Sequence, residues 1–254
     1  MATGEFEGKV VLITGAGRGI GRGTAEAFAK AGAHVGVADL VEDRAAEVAA
    51  AITRANGSAL ALAGDVRREK EVFAMVAKLV DAFGRVDVLA NMAGAFSTSF
   101  TPSHLITEEE WDLIVDSNLK GSFFGCKAVI PHMLAQGGGR IVNFSSNAGR
   151  TVGPVMGCHY TAAKAGVLGL TRHFAKEYAK HNILVNTVAP GPTRGERNQE
   201  LLKPGVAESL TAQIPLGRMA EPDDMSGVVM FLASDAARFI TGATLDVNGG
   251  YVMV

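Results

Sequence analysis

The segment VVLITGAGRGIG occupies residues 10–21 of the chain. Its continuous apolar first part predicts a buried parallel β-strand over residues 10–13. The pattern that follows predicts a helix over residues 20–31, which Gly32 ends as a C-terminal cap. Glycines between a strand and a helix let the backbone approach a ligand closely, and the free N–H groups at the helix N-terminus attract phosphate. This segment therefore predicts the first strand–turn–helix unit of a nucleotide-binding α/β fold.

The same alternation continues along the rest of the chain. Further strands are predicted over residues 34–38, 59–63, 86–90, 140–144, 183–189 and 244–247. Helices are predicted over residues 42–55, 69–83, 159–179 and 222–233. A longer helix should begin after the capping residue Thr107, run toward Leu134 and kink or end at Pro131. The pattern predicts a single doubly wound Rossmann-type α/β domain over residues 1–254, with a seven-stranded parallel sheet and helices on both faces.

Composition excludes several classes of protein. Lys and Arg number 24 and Asp and Glu 26, so the net charge of -2 offers no overall attraction for nucleic acid. The two cysteines cannot form a disulfide framework or an all-cysteine zinc site, and we expect no metal. No apolar run is long enough for a membrane span, and the acidic N-terminus does not resemble a signal peptide. We therefore expect a cytoplasmic protein that binds neither nucleic acid nor membrane.

Two acidic residues follow predicted strands and bear on the choice of nucleotide. Asp39 ends the second strand, where a carboxylate can bind both ribose hydroxyls of adenosine and repel a 2′-phosphate. This favours NAD over NADP, although Arg18 in the glycine-rich turn favours a phosphate. Asp65, followed by Val66, comes after the third strand, where a carboxylate can accept a hydrogen bond from the adenine amino group. For both aspartates, the alternative is a helix-capping role.

A tyrosine and a lysine on one predicted helix are the candidate catalytic pair. Tyr160 and Lys164 have i, i+4 spacing, which puts them on one helix face. A free tyrosine has a pKa of about 10, and a nearby ammonium lowers that pKa, so the hydroxyl can exchange a proton with a carbonyl or an alcohol. Ser146, at the end of the fifth strand, can hold the substrate oxygen near Tyr160, with Ser145 as a minor candidate.

These motifs resemble those of the short-chain dehydrogenase/reductase family over nearly the whole chain. The matching features are the TGAGRGIG turn at residues 14–21, the NMAG segment at residues 91–94, Asn118, Ser146, the YxxxK motif at residues 160–164, the NTVAPG segment at residues 186–191, PLGR at residues 215–218 and TG through NGG at residues 241–250. Two departures are Met92, where the family usually has a second asparagine, and a spacing from Ser146 to Tyr160 one residue longer than is common.

The resemblance implies roles for individual residues. Tyr160 is the general acid/base, Lys164 binds the nicotinamide ribose, and Ser146 positions the reacting oxygen. Asn118 holds a water on a proton relay to Lys164. The implied cofactor-binding residues are Gly15, Arg18, Gly19, Ile20, Gly21, Asp39, Leu40, Asp65, Val66, Asn91, Ala93, Gly94, Tyr160, Lys164, Pro190, Gly191 and Thr193. The resemblance and the apolar C-terminal tail also imply a homotetramer.

The substrate is the least determined part of the prediction. Residues 191–214 form a long polar segment, which the resemblance implies is a mobile substrate lid. Arg194 and Arg197 in this segment, and Arg150 before it, leave an anionic substrate open, although a solvated polar surface is the commoner origin of such charges. The leading hypothesis is an NAD(H)-dependent oxidoreductase that interconverts a secondary alcohol and its ketone. The alternatives are a 3-oxoacyl-thioester reductase, acting on acyl carrier protein or CoA with NADPH, and a non-catalytic dinucleotide-binding protein.

Overall fold

A computed structural model describes residues 4–96, 101–153, 156–195 and 205–254. The strands are β1 (Val10–Thr14), β2 (His34–Asp39), β3 (Ser58–Ala63), β4 (Val88–Asn91), β5 (Gly139–Phe144), β6 (Ile183–Pro190) and β7 (Thr244–Val247). They form one seven-stranded sheet in the order 3-2-1-4-5-6-7. Every neighbouring pair is parallel. The predicted sheet is therefore confirmed, and the switch in strand order lies between β1 and β4, where such folds bind ligands.

Helices connect the strands on both faces of the sheet. They are α1 (Gly19–Lys30), α2 (Glu42–Arg54), α3 (Glu69–Phe83), α4 (Glu108–Val115), α5 (Gly121–Ala135), α6 (Asn147–Arg150), α7 (Gly157–Tyr178), α8 (Val206–Ala212) and α9 (Pro222–Ala233). Val11 and Ile13 of β1 pack with α1, α2 and α9, whereas Val10 and Leu12 pack with α3, α5 and α7. The first strand is buried on both faces because its side chains alternate between these two apolar layers, which explains its uninterrupted apolar sequence.

The long central helix is interrupted at a different place from the one predicted. Thr107 caps α4 as expected, since its Oγ1 accepts the backbone N–H of Glu110 at 3.2 Å. The helix does not end at Pro131, which lies inside α5. Instead, a π-helical turn at Asp116–Lys120 separates α4 from α5. Such turns bring an extra residue into the helix and change which side chains face inward.

The predicted lid contains regular structure in its described part. Helix α8 lies within residues 191–214, where the sequence predicted only a polar segment. Its short length and lack of strong periodicity explain why the sequence did not reveal it. Among the described helices, none combines the length and the apolar character that crossing a membrane requires.

Candidate active site

A cavity of about 1240 Å³ opens at the carboxyl ends of the strands. The predicted residues that line it are Gly15, Arg18, Gly19, Ile20, Gly21, Asp39, Leu40, Asp65, Val66, Ala93, Gly94, Asn118, Ser146, Tyr160, Lys164, Pro190, Gly191 and Thr193. Because β2 and β3 lie on one side of β1 and the later strands on the other, the cavity runs along the sheet edge. Asp39 and Asp65 border one end, and residues of α8 border the other.

Close backbone packing shapes the glycine-rich turn. Gly15 and Gly19 have positive φ angles of 69° and 56°, a region that favours glycine. A Cβ on Gly21 would lie 2.1 Å from the carbonyl oxygen of Gly15, so only glycine allows this approach. Thr14 joins the turn to the end of β4, since its Oγ1 accepts the N–H groups of Met92 and Ala93 at 3.1 and 3.2 Å. The NMAG segment is thus held from β1, by a contact that does not depend on the residue type at position 92.

Asp39 braces this turn from the neighbouring strand. Its carboxylate accepts the N–H of Gly17 at 3.0 Å and that of Val41 at 3.0 Å. The N-cap of α2 is Val41, so Asp39 does not occupy the capping position that was its alternative role. The carboxylate remains part of the cavity wall. Asp39 therefore combines a structural bond to the glycine-rich turn with a charge at the cavity surface.

Asp65 has a cationic partner that the sequence analysis missed. Arg67 donates to both carboxylate oxygens, with Nη2 at 2.6 Å from Oδ2 and Nε at 2.9 Å from Oδ1. The side-chain bond to Arg67 lowers the pKa of Asp65 below its usual value. Arg44 also lines this end of the cavity and was missed. Arg67 was detectable as a cation two residues after Asp65, whereas nothing in the sequence distinguishes Arg44 from other charged residues on α2.

Tyr160 and Lys164 meet in the cavity, as their spacing predicts. The Nζ of Lys164 lies 5.6 Å from the centre of the Tyr160 ring and donates to the carbonyl oxygen of Phe144 at 2.8 Å. The ring of Phe96 packs edge-on against that of Tyr160, with centroids 6.3 Å apart. Burial lowers the pKa of Lys164 from its ordinary value to about 7. A lysine with this pKa can give up and take back a proton near neutral pH.

The two serines after β5 make different contacts. Ser145 donates its hydroxyl proton to the carbonyl oxygen of Lys164 at 2.7 Å, in a buried bond. Ser146 donates to Oδ1 of Asn147 at 3.0 Å and accepts the N–H of Ala148 at 3.2 Å. Because Asn147 also lines the cavity, a substrate oxygen can compete for the Ser146 proton there. The geometry thus favours Ser146 over Ser145 for contact with substrate.

Asn118 lies in the π-helical turn with one atom unused. Its Nδ2 donates to the carbonyl oxygens of Ala95 at 2.6 Å and Ile114 at 2.8 Å. Its buried Oδ1 has no hydrogen-bond partner in the described part of the chain. A Cβ on Gly94 would lie 2.4 Å from this Oδ1 and 3.7 Å from Nζ of Lys164, so both atoms border the same spot. A buried acceptor without a partner marks a place for a water or a ligand donor.

Asn91 differs from the other predicted cofactor residues, because it does not line the cavity. Its Nδ2 donates to Oδ1 of Asn143 at 2.9 Å and to the carbonyl oxygen of Ser122 at 3.2 Å. Asn143 in turn donates to Thr171 at 2.9 Å. The side chain therefore joins β4 to β5 and α5 below the cavity. The resemblance implied cofactor contact for Asn91, but the direction of its side chain depends on the buried polar partners around it.

The end of the cavity beside α8 is mainly apolar. The lining residues that the sequence analysis missed there are Phe96, Leu113, Val152, Met156, Val206, Ser209, Leu210, Gln213, Met219 and Tyr251. Arg150 is paired with Asp246 through two contacts of 3.0 and 3.1 Å, which joins α6 to β7. Arg194 lies 3.5 Å from Glu221, and Arg197 lies outside the described residues. The spacing of Val206, Ser209 and Leu210 puts one face of α8 toward the cavity.

The fold and this cavity define a doubly wound α/β protein of the dinucleotide-binding class. A family model described as Enoyl-(Acyl carrier protein) reductase matches residues 15–252. An uncharacterized oxidoreductase of Thermotoga maritima is 38% identical, over 98% of this chain and 99% of the relative. The 3-oxoacyl-[acyl-carrier-protein] reductase FabG of Staphylococcus aureus is 41% identical, over 96% of this chain and 98% of the relative. A 3-oxoacyl-[acyl-carrier-protein] reductase of Synechocystis sp. is also 41% identical, over 96% and 97%.

The chain belongs to the short-chain dehydrogenase/reductase family, and it is an oxidoreductase. The resemblance found in its motifs is thereby confirmed.

Burial of Lys164 predicts a pH-dependent contribution to stability. Its pKa is about 7 in the folded chain and has the ordinary value of 10.5 when the chain unfolds. Between these values the unfolded chain binds more protons, so the contribution of this group to stability rises with pH across the window. Lys164→Met removes the effect. Without nucleotide, we expect the free energy of unfolding of Lys164→Met to exceed that of the wild type by about 2–4 kcal/mol near pH 6. This difference should shrink toward pH 10.

Chemical denaturation of both proteins at several pH values measures this difference. Lys176→Met, on the exposed side of the same helix, is the matched control and should show no such trend. Lys164→Met also loses the hydrogen bond to Phe144. That loss changes the free energy of unfolding by the same amount at every pH, so it does not produce the pH-dependent difference. Curves for Lys164→Met and wild type that run parallel from pH 6 to 10 would refute the argument.

Proposed function

We propose that this oxidoreductase interconverts a secondary alcohol and its ketone with NAD(H), and that Tyr160 is the general acid/base. One observation carries the proposal: Tyr160, Lys164, Ser146 and Asn118 line the same cavity as the glycine-rich turn. One bound substrate can then meet the hydroxyl of Tyr160, the amine of Lys164 and a dinucleotide held by the glycine-rich turn.

Residues of the chain transfer the proton and orient the substrate. Ser146 turns its hydroxyl from Asn147 to the substrate oxygen and holds it beside Tyr160. Tyr160 gives its proton to a carbonyl oxygen in reduction, or takes the proton of an alcohol in oxidation. The charge of Lys164 stabilises the phenolate form of Tyr160. A water between Lys164 and the unused Oδ1 of Asn118 extends the path along which the proton is replaced.

The described residues fit a nicotinamide dinucleotide. The backbone of the glycine-rich turn packs too closely for side chains at Gly15 and Gly21. The first turn of α1 lines the cavity, and the N–H groups at a helix N-terminus attract phosphate. Asp39 and Asp65 are the candidates for the adenosine part, and Lys164 for the nicotinamide ribose. When bound, the dinucleotide supplies the hydride donor or acceptor that no side chain provides.

A second candidate function is reduction of a 3-oxoacyl thioester. Relatives about 40% identical over nearly their whole length are named 3-oxoacyl-[acyl-carrier-protein] reductases, which favours it. The apolar end of the cavity beside α8 suits an acyl group as well as a simple ketone. The two functions differ in whether the substrate is a thioester of an acyl carrier. A panel of secondary alcohols, simple ketones and 3-oxoacyl thioesters distinguishes them when it is assayed with both dinucleotides by nicotinamide absorbance.

The segment at residues 191–214 is proposed as the substrate lid. One face of α8 borders the cavity, and Arg194 lies at its rim near Glu221. A helix that covers the substrate on its apolar side excludes water from the reacting atoms.

Tyr160→Phe tests the acid/base role. The substitution removes the hydroxyl and keeps the ring, so the dinucleotide should still bind while kcat falls by at least about 100-fold. Tyr178→Phe, at the end of the same helix, is the matched control and should retain wild-type activity. Steady-state kinetics on a substrate from the panel, with dinucleotide binding followed by fluorescence, gives both quantities. A Tyr160→Phe enzyme with more than about a tenth of wild-type kcat would exclude the role.

Asp39 should make the enzyme prefer NAD(H). A 2′-phosphate on the adenosine ribose would lie against this carboxylate, and the repulsion corresponds to roughly a 10- to 150-fold preference in kcat/KM. Asp39→Asn removes the charge and keeps one oxygen to accept from Gly17 or Val41, so the preference should fall about tenfold or more. Asp43→Asn, an exposed charge on α2 that does not line the cavity, controls for net charge. A wild type that favours NADP(H), or an unchanged ratio in Asp39→Asn, would contradict this role.

We also propose a homotetramer. An apolar surface on the outside of the π-helical turn, α5 and α7 includes Leu119, Phe123 and Leu170, respectively. Met253 and Val254 are exposed at the C-terminus. Light scattering should give four times the chain mass of 26.4 kDa. Phe123→Asp should lower that mass, whereas Phe73→Asp should not, although the two phenylalanines are almost equally exposed at 38% and 39%. A wild-type mass of one chain at micromolar concentration would rule out the tetramer.

A further inference from the structure

The residue before the candidate catalytic tyrosine is a buried histidine. His159 is 1% exposed, and it does not line the cavity. Its Nδ1 lies 3.0 Å from the backbone nitrogen of Tyr160. The ring also packs beside Trp111 of α4, with centroids 6.5 Å apart. A buried imidazole at the first turn of α7 thus contacts the backbone of the residue that is proposed to transfer the proton.

The contact with Tyr160 determines the tautomer of the ring. A backbone N–H only donates, so Nδ1 must be the unprotonated, accepting nitrogen. The neutral ring therefore carries its proton on Nε2. That nitrogen is buried and has no hydrogen-bond partner in the described part of the chain. A buried N–H without an acceptor is unfavourable unless the surroundings stabilise its positive end.

Glu110 supplies that stabilisation from α4. Its Oε1 lies 3.7 Å from Nε2 of His159, which is longer than a hydrogen bond but close enough for the carboxylate to attract the positive end of the Nε2–H dipole. The same oxygen lies 3.4 Å from Oγ1 of Thr101, in the segment after β4. Glu110 is thus placed between this segment and the histidine. A series of polar contacts runs from Thr101 through Glu110 and His159 to the backbone of Tyr160.

We propose that His159 is a positioning residue for Tyr160, and that Glu110 holds it in the Nε2–H tautomer. The proposal rests on the acid/base role of Tyr160 given above. Nδ1 of His159 holds the peptide N–H of Tyr160, and the attraction to Glu110 fixes the ring that makes this bond. Because Leu113 and Ser117 on the same helical segment as Glu110 line the cavity, the pair also links the substrate side of the cavity to the tyrosine.

Two substitutions at His159 test separately the contact of Nδ1 with Tyr160 and the contact of Nε2 with Glu110. His159→Asn keeps an acceptor near the position of Nδ1 but does not reach Glu110, whereas His159→Gln reaches Glu110 but has no atom near the position of Nδ1. We expect His159→Asn to retain kcat within about threefold and His159→Gln to lose about tenfold, which corresponds to the loss of one hydrogen bond to the backbone of Tyr160. KM and the dinucleotide dissociation constant should stay within about twofold of wild type for both, since neither substitution touches the cavity wall.

A double-mutant cycle tests the part of Glu110. Glu110→Gln in the wild-type background should lower kcat about threefold, and in the His159→Asn background it should have no further effect. Glu109→Gln, an exposed carboxylate on the same turn, is the matched control. Trp111 is the chain's single tryptophan, so its emission reports whether each variant keeps the packing of α4 on α7. Variants with altered emission are compared by kcat per mole of dinucleotide-binding sites.

The outcomes distinguish failure of the positioning role of His159 from failure of the acid/base role of Tyr160. If His159→Gln and His159→Asn lose kcat equally, or if both keep wild-type kcat, His159 does not position Tyr160 through Nδ1. An effect of Glu110→Gln that persists in His159→Asn overturns the role of Glu110. Tyr160→Phe is assayed in parallel: an inactive Tyr160→Phe beside an active His159→Gln rejects only the positioning role, whereas an active Tyr160→Phe rejects both proposals.

Discussion

Two hydrogen bonds in opposite directions lock α7 onto the end of β5. Ser145 donates its hydroxyl proton to the carbonyl oxygen of Lys164, and Lys164 donates from Nζ to the carbonyl oxygen of Phe144. The space between these elements is so narrow that a Cβ on Gly149 would lie 2.5 Å from Oγ of Ser145 and 2.6 Å from the carbonyl carbon of Lys164. Since Tyr160 is one turn from Lys164, this lock also determines where the tyrosine meets the cavity. The position of the proposed reaction depends on it.

The site is surrounded by buried polar groups, which stabilise the fold only when they are satisfied. Asn91, Asn143, Thr171 and Thr187 form a hydrogen-bonded series across β4, β5, α7 and β6. This series supports the strand ends from below, although Oδ1 of Asn91 has no hydrogen-bond partner among the described residues. Above it, the buried amine of Lys164 and the unused oxygen of Asn118 face the cavity without equal compensation. Both groups belong to the proposed proton path, and groups with such a role are commonly kept at a cost in stability.

The π-helical turn illustrates how a small backbone feature serves the site. An extra residue between α4 and α5 lets Asn118 direct its amide nitrogen to the carbonyl oxygens of Ala95 and Ile114. Both amide hydrogens are then used, and only Oδ1 is left for the cavity. The turn thereby selects which atom of Asn118 is available, and it leaves the acceptor rather than the donor beside Lys164.

The sequence by itself determined the order of the strands and of most of the helices between them, the glycine-rich turn and the pairing of Tyr160 with Lys164. These features depend on periodicity, on glycine stereochemistry and on i, i+4 spacing, all of which are local and can be deduced without tertiary contacts. Only the tertiary structure decided that Asn91 faces away from the cavity and that His159 lies against Glu110. Asn91 meets Asn143 and His159 meets Glu110 across about 50 residues of chain. The direction of a polar side chain follows from which partners the packed elements bring within hydrogen-bond distance, and sequence spacing carries no information about those partners.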